Sequence, residues 1–124
     1  MNLVDSSGWL EYLIDGSNAA FFAPIIEDSA NLLVPTICLY EVFKRAQQMR
    51  GMDDAARSVG DMLRGQVVEL DTALALDAAR LAVETKLAMA DSIILATARS
   101  FGATLWTQDA HFRGLPDARY CEKT

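Results

Sequence analysis

The sequence predicts an α/β fold in which an open parallel sheet is covered by helices on both faces. Two observations carry that prediction. Short runs of apolar residues alternate along the chain with longer segments of helical periodicity. Each short run is continuously apolar, as in strands buried on both faces, rather than alternating as in a sheet with one wet face. A chain of 124 residues with 52% hydrophobic content is also the right size to bury one core, so residues 1–124 are expected to form a single domain.

The first strand is expected over Leu3 to Asp5, followed by a helix capped by Ser7 and reaching about Ile14. Asp15-Gly16-Ser17-Asn18 reads as a turn, and a second helix runs from Ala19 to about Asp28. Leu32 to Val34 is the next strand. Thr36, after Pro35, caps a helix that runs to Arg50 and stops at Gly51. Asp53 begins another helix ending near Gly65. Val67 to Leu70 is a strand, Asp71 or Thr72 starts a helix to about Lys86, and a last helix spans about Ala90 to Phe101 before Gly102. Thr104 to Trp106 is the last clear strand. With 3 prolines and 7 glycines lying mostly between these segments, no long linker, low-complexity tract or internal repeat is expected.

Composition narrows the function. The start, MNLVDSSGWLEYL, lacks a basic n-region and a continuous apolar stretch, and no segment approaches the roughly 18 apolar residues of a membrane span. A cytoplasmic protein is expected. Cys38 and Cys121, far apart and accompanied by one histidine, cannot build a common zinc site, and Cys38 falls on a core-facing helix position. A net charge of −6 argues against an unaided nucleic-acid binder unless the acids hold metal, since two divalent ions would change −6 to −2. Basic residues Lys44, Arg45, Arg50, Arg57 and Arg64 cluster in one stretch that contains only three acids.

In an open parallel sheet, ligands gather at the carboxyl ends of the strands, where strand order reverses. Four acids fall on that predicted edge. Asp5 closes the first strand, and Asp109 follows the last by a short turn; each could alternatively be a helix or turn cap. Asp91 lies on the flank of the apolar stripe formed by Ala90, Ile94, Ala98 and Phe101, where a carboxylate needs a partner; a dipole partner in the first helical turn is the plainer alternative. Glu41 sits near the start of its helix, with Lys44 and Arg45 at ion-pair spacing, so a solvated pair explains it equally well. Together the four acids would make an oxygen-rich pocket for Mg²⁺ or Mn²⁺, suited to phosphodiester hydrolysis. His111, the lone histidine, invites an acid/base pair with Asp109, but a metal pocket needs no imidazole base, and the residue is expected beyond the turn, bonding or packing near Phe112.

NLVDSS, VPTICLYEVFKR with Glu41, ADSIILATA with Asp91 and LWTQDAHF with Asp109, in this order, resemble the PIN-domain family and especially the VapC toxins of bacterial toxin–antitoxin pairs. The resemblance implies a three-layer α/β/α sandwich with a central parallel sheet of four to five strands. It implies a Mg²⁺- or Mn²⁺-dependent endoribonuclease whose acids are Asp5, Glu41, Asp91 and Asp109, with Ser6 and Thr107 as supporting hydroxyls that orient water or carboxylates. It also implies an RNA substrate, a homodimer, and a small cognate antitoxin whose C-terminal segment crosses the site. The Asn18 to Asp28 helix and the Gln47 to Asp61 hairpin, with Met49 and Met52, are the expected surfaces for that segment; core packing is the alternative for the methionines. Arg45, Arg50, Arg57 and Arg113 are candidate phosphate contacts, with a solvated surface as the alternative. Two further functions compete. An aspartate-based phosphatase wants a second acid close after Asp5, where Ser6 and Ser7 stand, and a non-catalytic PIN-like module would bind RNA or protein without cutting.

Overall fold

The apolar runs of the sequence become strands of one parallel sheet in a computed structural model that describes residues 1–124. The strands are β1 (Asn2–Val4), β2 (Leu32–Pro35), β3 (Gln66–Val68), β4 (Thr104–Thr107) and β5 (Ala118–Tyr120), in spatial order β3-β2-β1-β4-β5. The helices are α1 (Ser6–Leu13), α2 (Ala19–Ile26), α3 (Thr36–Arg50), α4 (Met52–Met62), α5 (Thr72–Thr85) and α6 (Met89–Ser100). Short 3-10 turns occupy Ser29–Asn31 and Ala110–Phe112.

The chain winds outward from β1 through β2 to β3, then returns across the sheet to place β4 on the other side of β1. Right-handed crossovers in opposite directions put the two sets of helices on opposite faces. Accordingly α1 contacts α2 and α3, while α5 contacts α6, giving the three-layer α/β/α sandwich. Its core includes Leu3, Leu33, Val34, Ile94, Leu95 and Leu105, all essentially without solvent exposure. The continuous apolar runs therefore report burial on both faces.

Most helix limits follow the expected signals. Gly51, at φ 88°, makes the left-handed turn between α3 and α4, and Lys86, at φ 64°, ends α5. Four boundaries differ. Thr36 is the first residue of α3 rather than its cap: Pro35 holds the cap position, without a side-chain capping hydrogen bond. The α1 cap is Asp5 rather than Ser7, because the Asp5 carboxylate takes the Gly8 N–H. The second helix stops at Ile26, since Asp28 has left helical geometry and accepts a hydrogen bond from the Asn31 amide instead. β3 begins at Gln66 and ends at Val68, short of Leu70. β5 arises without an apolar run, pairing with β4 in the register Leu105 to Ala118 and Thr107 to Tyr120.

At Gly8 the absence of a side chain lets α1 lie close to the sheet and to α2. A Cβ there would fall 2.6 Å from both Val4 Cγ1 and Phe22 Cε1, and Phe22 is fully buried. Gly8→Ala is expected to destabilise the protein by about 1–3 kcal/mol through this overlap, measured as a lowered denaturant midpoint with an unchanged m-value. An unchanged midpoint would show that α1 has room to shift.

Candidate metal centre

The order reversal between β1 and β4 opens a crevice at their carboxyl ends, and the chain leaving each strand carries an aspartate. Asp5 directly follows β1, its N–H bound to the Trp106 carbonyl at 3.1 Å. Only 2% of its surface is exposed. One carboxylate oxygen accepts from the Gly8 N–H at 2.9 Å and the Ser7 hydroxyl at 2.7 Å, and the other from the Thr107 hydroxyl at 2.6 Å. Burial pushes the Asp5 carboxyl up to about 6; the three hydrogen bonds oppose that rise and the nearby Asp109 charge adds to it.

Thr107 connects the two strand ends. While its hydroxyl donates to Asp5, its oxygen accepts the Asp109 N–H at 2.9 Å. Between them, buried Gln108 accepts from the Asn18 amide at 3.0 Å, and Asn18 also binds the Glu122 carbonyl. Asp109 caps the Ala110–Phe112 turn, taking the His111 N–H at 3.0 Å. The capping alternatives for Asp5 and Asp109 are thus both realised, Asp5 being held in addition by Thr107 and Asp109 standing beside the His111 ring.

Asp91 enters from the first turn of α6, whose positive dipole end faces the same edge. Burial raises its carboxyl above the ordinary carboxylate range, a shift opposed by a hydrogen bond with His111 and reinforced by Asp109. His111 Nδ1 stands 3.1 Å from Asp91 Oδ2 and 3.4 Å from Asp109 Oδ1. The hydrogen bond with Asp91, followed by the charges of both aspartates, raises the imidazole pKa above its ordinary value. Contrary to expectation, the histidine is not a bystander packed near Phe112. The 3-10 turn folds it back onto its own cap.

Glu41 projects from the second turn of α3 and accepts the Ser6 hydroxyl at 2.6 Å. The alternative ion pairs do not form: the Lys44 ammonium lies 5.4 Å from the Tyr40 ring centroid, and Arg45 donates to Gln48. Cys38, one turn earlier and fully buried, has its thiol pushed well up by burial, which fits its core position.

The structure therefore brings Asp91, Asp109 and His111 into one group whose ligand atoms lie within 4.8 Å of one another. Asp5 joins that group through Thr107, and Glu41 stands beside it on Ser6, without entering the 4.8 Å cluster. The carboxylate oxygens form a donor set that suits a divalent cation, and the buried charge on Asp5 supplies a reason for one to bind.

A family model described as the PIN domain matches residues 3–118, so the chain belongs to the PIN-domain family, a family of nucleases. Similar solved structures include a toxin–antitoxin complex from Klebsiella pneumoniae, 23% identical, with TM-score 0.79 and 96% of each chain covered. Another is Mycobacterium tuberculosis VapC20, a Sarcin-Ricin loop cleaving toxin, 15% identical, TM-score 0.78, covering 94% of this chain and 95% of that one. DNA-bound VapBC from Salmonella typhimurium is 17% identical, with TM-score 0.75 and 98% of each chain covered. At these identities the likeness is one of fold. No curated protein sequence matches the chain.

Because the folded-state pKa of Asp5 lies above its ordinary 3.8, the metal-free protein loses stability as pH rises through the interval from 3.8 to about 6. Asp5→Asn keeps the shape and removes the charge. Metal-free Asp5→Asn is expected to exceed the parent in stability by about 3 kcal/mol well above pH 6, with the difference vanishing in acid. Paired denaturation curves across that interval measure it; a destabilised variant at neutral pH would show that the hydrogen bonds outweigh the buried charge.

Proposed function

We propose that the chain is a divalent-metal-dependent endoribonuclease and the toxin of a VapBC-like toxin–antitoxin pair, residues 1–124 acting as one domain. The observation that carries this reading is the meeting of Asp91 and Asp109 at the reversal point of the sheet, with Asp5 tied to them through Thr107. Membership of the PIN family and a fold shared with VapC structures support it.

Asp5, Asp91, Asp109 and Glu41 are the residues that would hold Mg²⁺ or Mn²⁺. When bound, such an ion activates water and stabilises charge on a phosphodiester oxygen. Thr107 and Ser6 act as positioning residues: each hydroxyl gives its single proton to a carboxylate, Thr107 to Asp5 and Ser6 to Glu41, and so holds that carboxylate in one orientation. A cation in the group also removes the repulsion that the uncompensated acids present to an RNA phosphate. Basic side chains then extend the phosphate-attracting surface. Of the candidates, Arg57 is engaged with Asp54, Arg45 with Gln48, and Arg113 lies over the Tyr120 ring, so Arg50 on α3 is the better phosphate contact.

The hairpin surface expected for the antitoxin segment borders a groove of about 230 Å³ between α1 and the α3–α4 hairpin, lined by Leu10, Leu13, Ile14 and Met49 together with Arg50 and Arg57, and this groove is the candidate seat for that segment. No helix is long and apolar enough to cross a membrane, and the toxin is read as a cytoplasmic homodimer.

Asp91→Asn and Asp5→Asn are each expected to lower Mn²⁺-dependent cleavage of structured RNA by more than about 100-fold and to relieve growth arrest on expression, with the circular dichroism spectrum retained. Undiminished cleavage by either variant rejects the assignment. Purified protein that binds no divalent ion in calorimetry would point instead to a non-catalytic module.

A further inference from the structure

We propose that His111 is itself a ligand of the bound cation, contributing Nδ1 beside one oxygen each of Asp91 and Asp109, and that this nitrogen gives the centre a preference for Mn²⁺ over Mg²⁺. The inference rests on the metal-centre reading above and adds a nitrogen donor to an otherwise all-oxygen set.

Three observations carry it. The first is distance. Ligands bound at about 2.1 Å in an octahedron lie about 3.0 Å apart along an edge, and those at about 2.05 Å in a tetrahedron about 3.3 Å apart. Nδ1 stands 3.1 Å from Asp91 Oδ2 and 3.4 Å from Asp109 Oδ1, both close to such an edge, and the ligand atoms of all three residues lie within 4.8 Å of one another.

The second is that the ring is held there by backbone. The His111 N–H is bound to the Asp109 carboxylate at 3.0 Å, the next N–H, of Phe112, to the Asp109 carbonyl at 3.1 Å, and the Phe112 side chain is fully buried. An exposed histidine on a free loop would sample many positions. This one sits on a turn pinned from both sides, two residues from an aspartate that shares the site.

The third is the outward nitrogen. Nε2 makes no hydrogen bond within the protein, and 67% of the side chain is exposed. With Nδ1 directed at the ion, the ring proton resides on Nε2, free to donate to water or to a substrate phosphate, so ligation leaves no buried group unsatisfied.

An imidazole ligand discriminates among ions. Mg²⁺ is a hard cation served mainly by oxygen and water, whereas Mn²⁺ and later first-row ions accept nitrogen readily. The competing arrangement is an ion pair between a charged His111 and the two aspartates that opens when the cation enters.

Pulsed electron paramagnetic resonance of Mn²⁺ bound to the purified, antitoxin-free protein separates the two, together with calorimetric titration of Mn²⁺ and Mg²⁺ into the parent, His111→Ala and Asp91→Asn. The parent is expected to show ¹⁴N modulation from a coordinated imidazole, absent in His111→Ala. Mn²⁺ affinity should fall about tenfold or more in His111→Ala, and Mg²⁺ affinity by no more than about threefold. Bound Mn²⁺ without nitrogen coupling, or equal changes for both ions, overturns the ligand role while leaving the metal centre intact. If Asp91→Asn binds Mn²⁺ as the parent does, or the parent binds none, the centre itself fails and His111 with it.

Discussion

The hydroxyl of Thr107 joins the two halves of this molecule at the point where its chemistry converges. One end of its hydrogen-bond chain is Asp5, which leaves β1; the other is the backbone of Asp109, which leaves β4. A hydroxyl has one proton to give, and giving it to Asp5 leaves the oxygen for the Asp109 N–H. The two loops are thereby tied to each other above the paired strands β1 and β4. Without that link the buried carboxylate would lose its closest partner, and the loop bearing Asp109 and His111 would lose an anchor inside the fold.

The same arrangement concentrates like charge. Asp5 and Asp91 are both held above their ordinary pKa values chiefly by burial, and Asp109 acts on both. A fold selected for stability alone would place an amide or an apolar residue at position 5. The retained acid is a local cost that the Thr107 and Ser7 hydroxyls and the capping Gly8 N–H partly offset, and that a divalent cation would offset further. The excess of negative charge in the composition, −6 in all, is thus consistent with phosphate chemistry when part of it faces a cation.

Much of the fold was legible because burial leaves a plain imprint on sequence. Leu32 to Val34 is apolar at every position because both faces of β2 are covered, and the run to Arg50 stops at Gly51 as the end of one long helix. β5 left no such imprint: Ala118-Arg119-Tyr120 is an edge strand, half-solvated, whose pairing comes from β4 rather than from its own composition. In the site, strand ends and helix starts pointed to Asp5, Asp91 and Asp109 because topology sends them to one edge. The contacts that distinguish one arrangement from another were not legible. Ser6 meets Glu41 across 35 residues, where local spacing suggested Lys44 or Arg45 as partners. His111 was set aside because the return of a single 3-10 turn is decided by a cap hydrogen bond, which periodicity does not register.

The hydrogen bond between Thr107 and Asp5 spans 102 residues, and the central strand β1 has β4 as one of its two neighbours. During synthesis the ribosome releases Asp5 near the beginning and Asp109 only after α6 and β4 have followed. Every shorter nascent chain has the first acid in place and lacks the last, with β1 still open along one side. The centre consequently assembles as a late event of translation, because the topology closes around its oldest strand last. For a protein whose proposed target is RNA, strand order alone thus keeps the full set of acids apart until Asp109 has emerged.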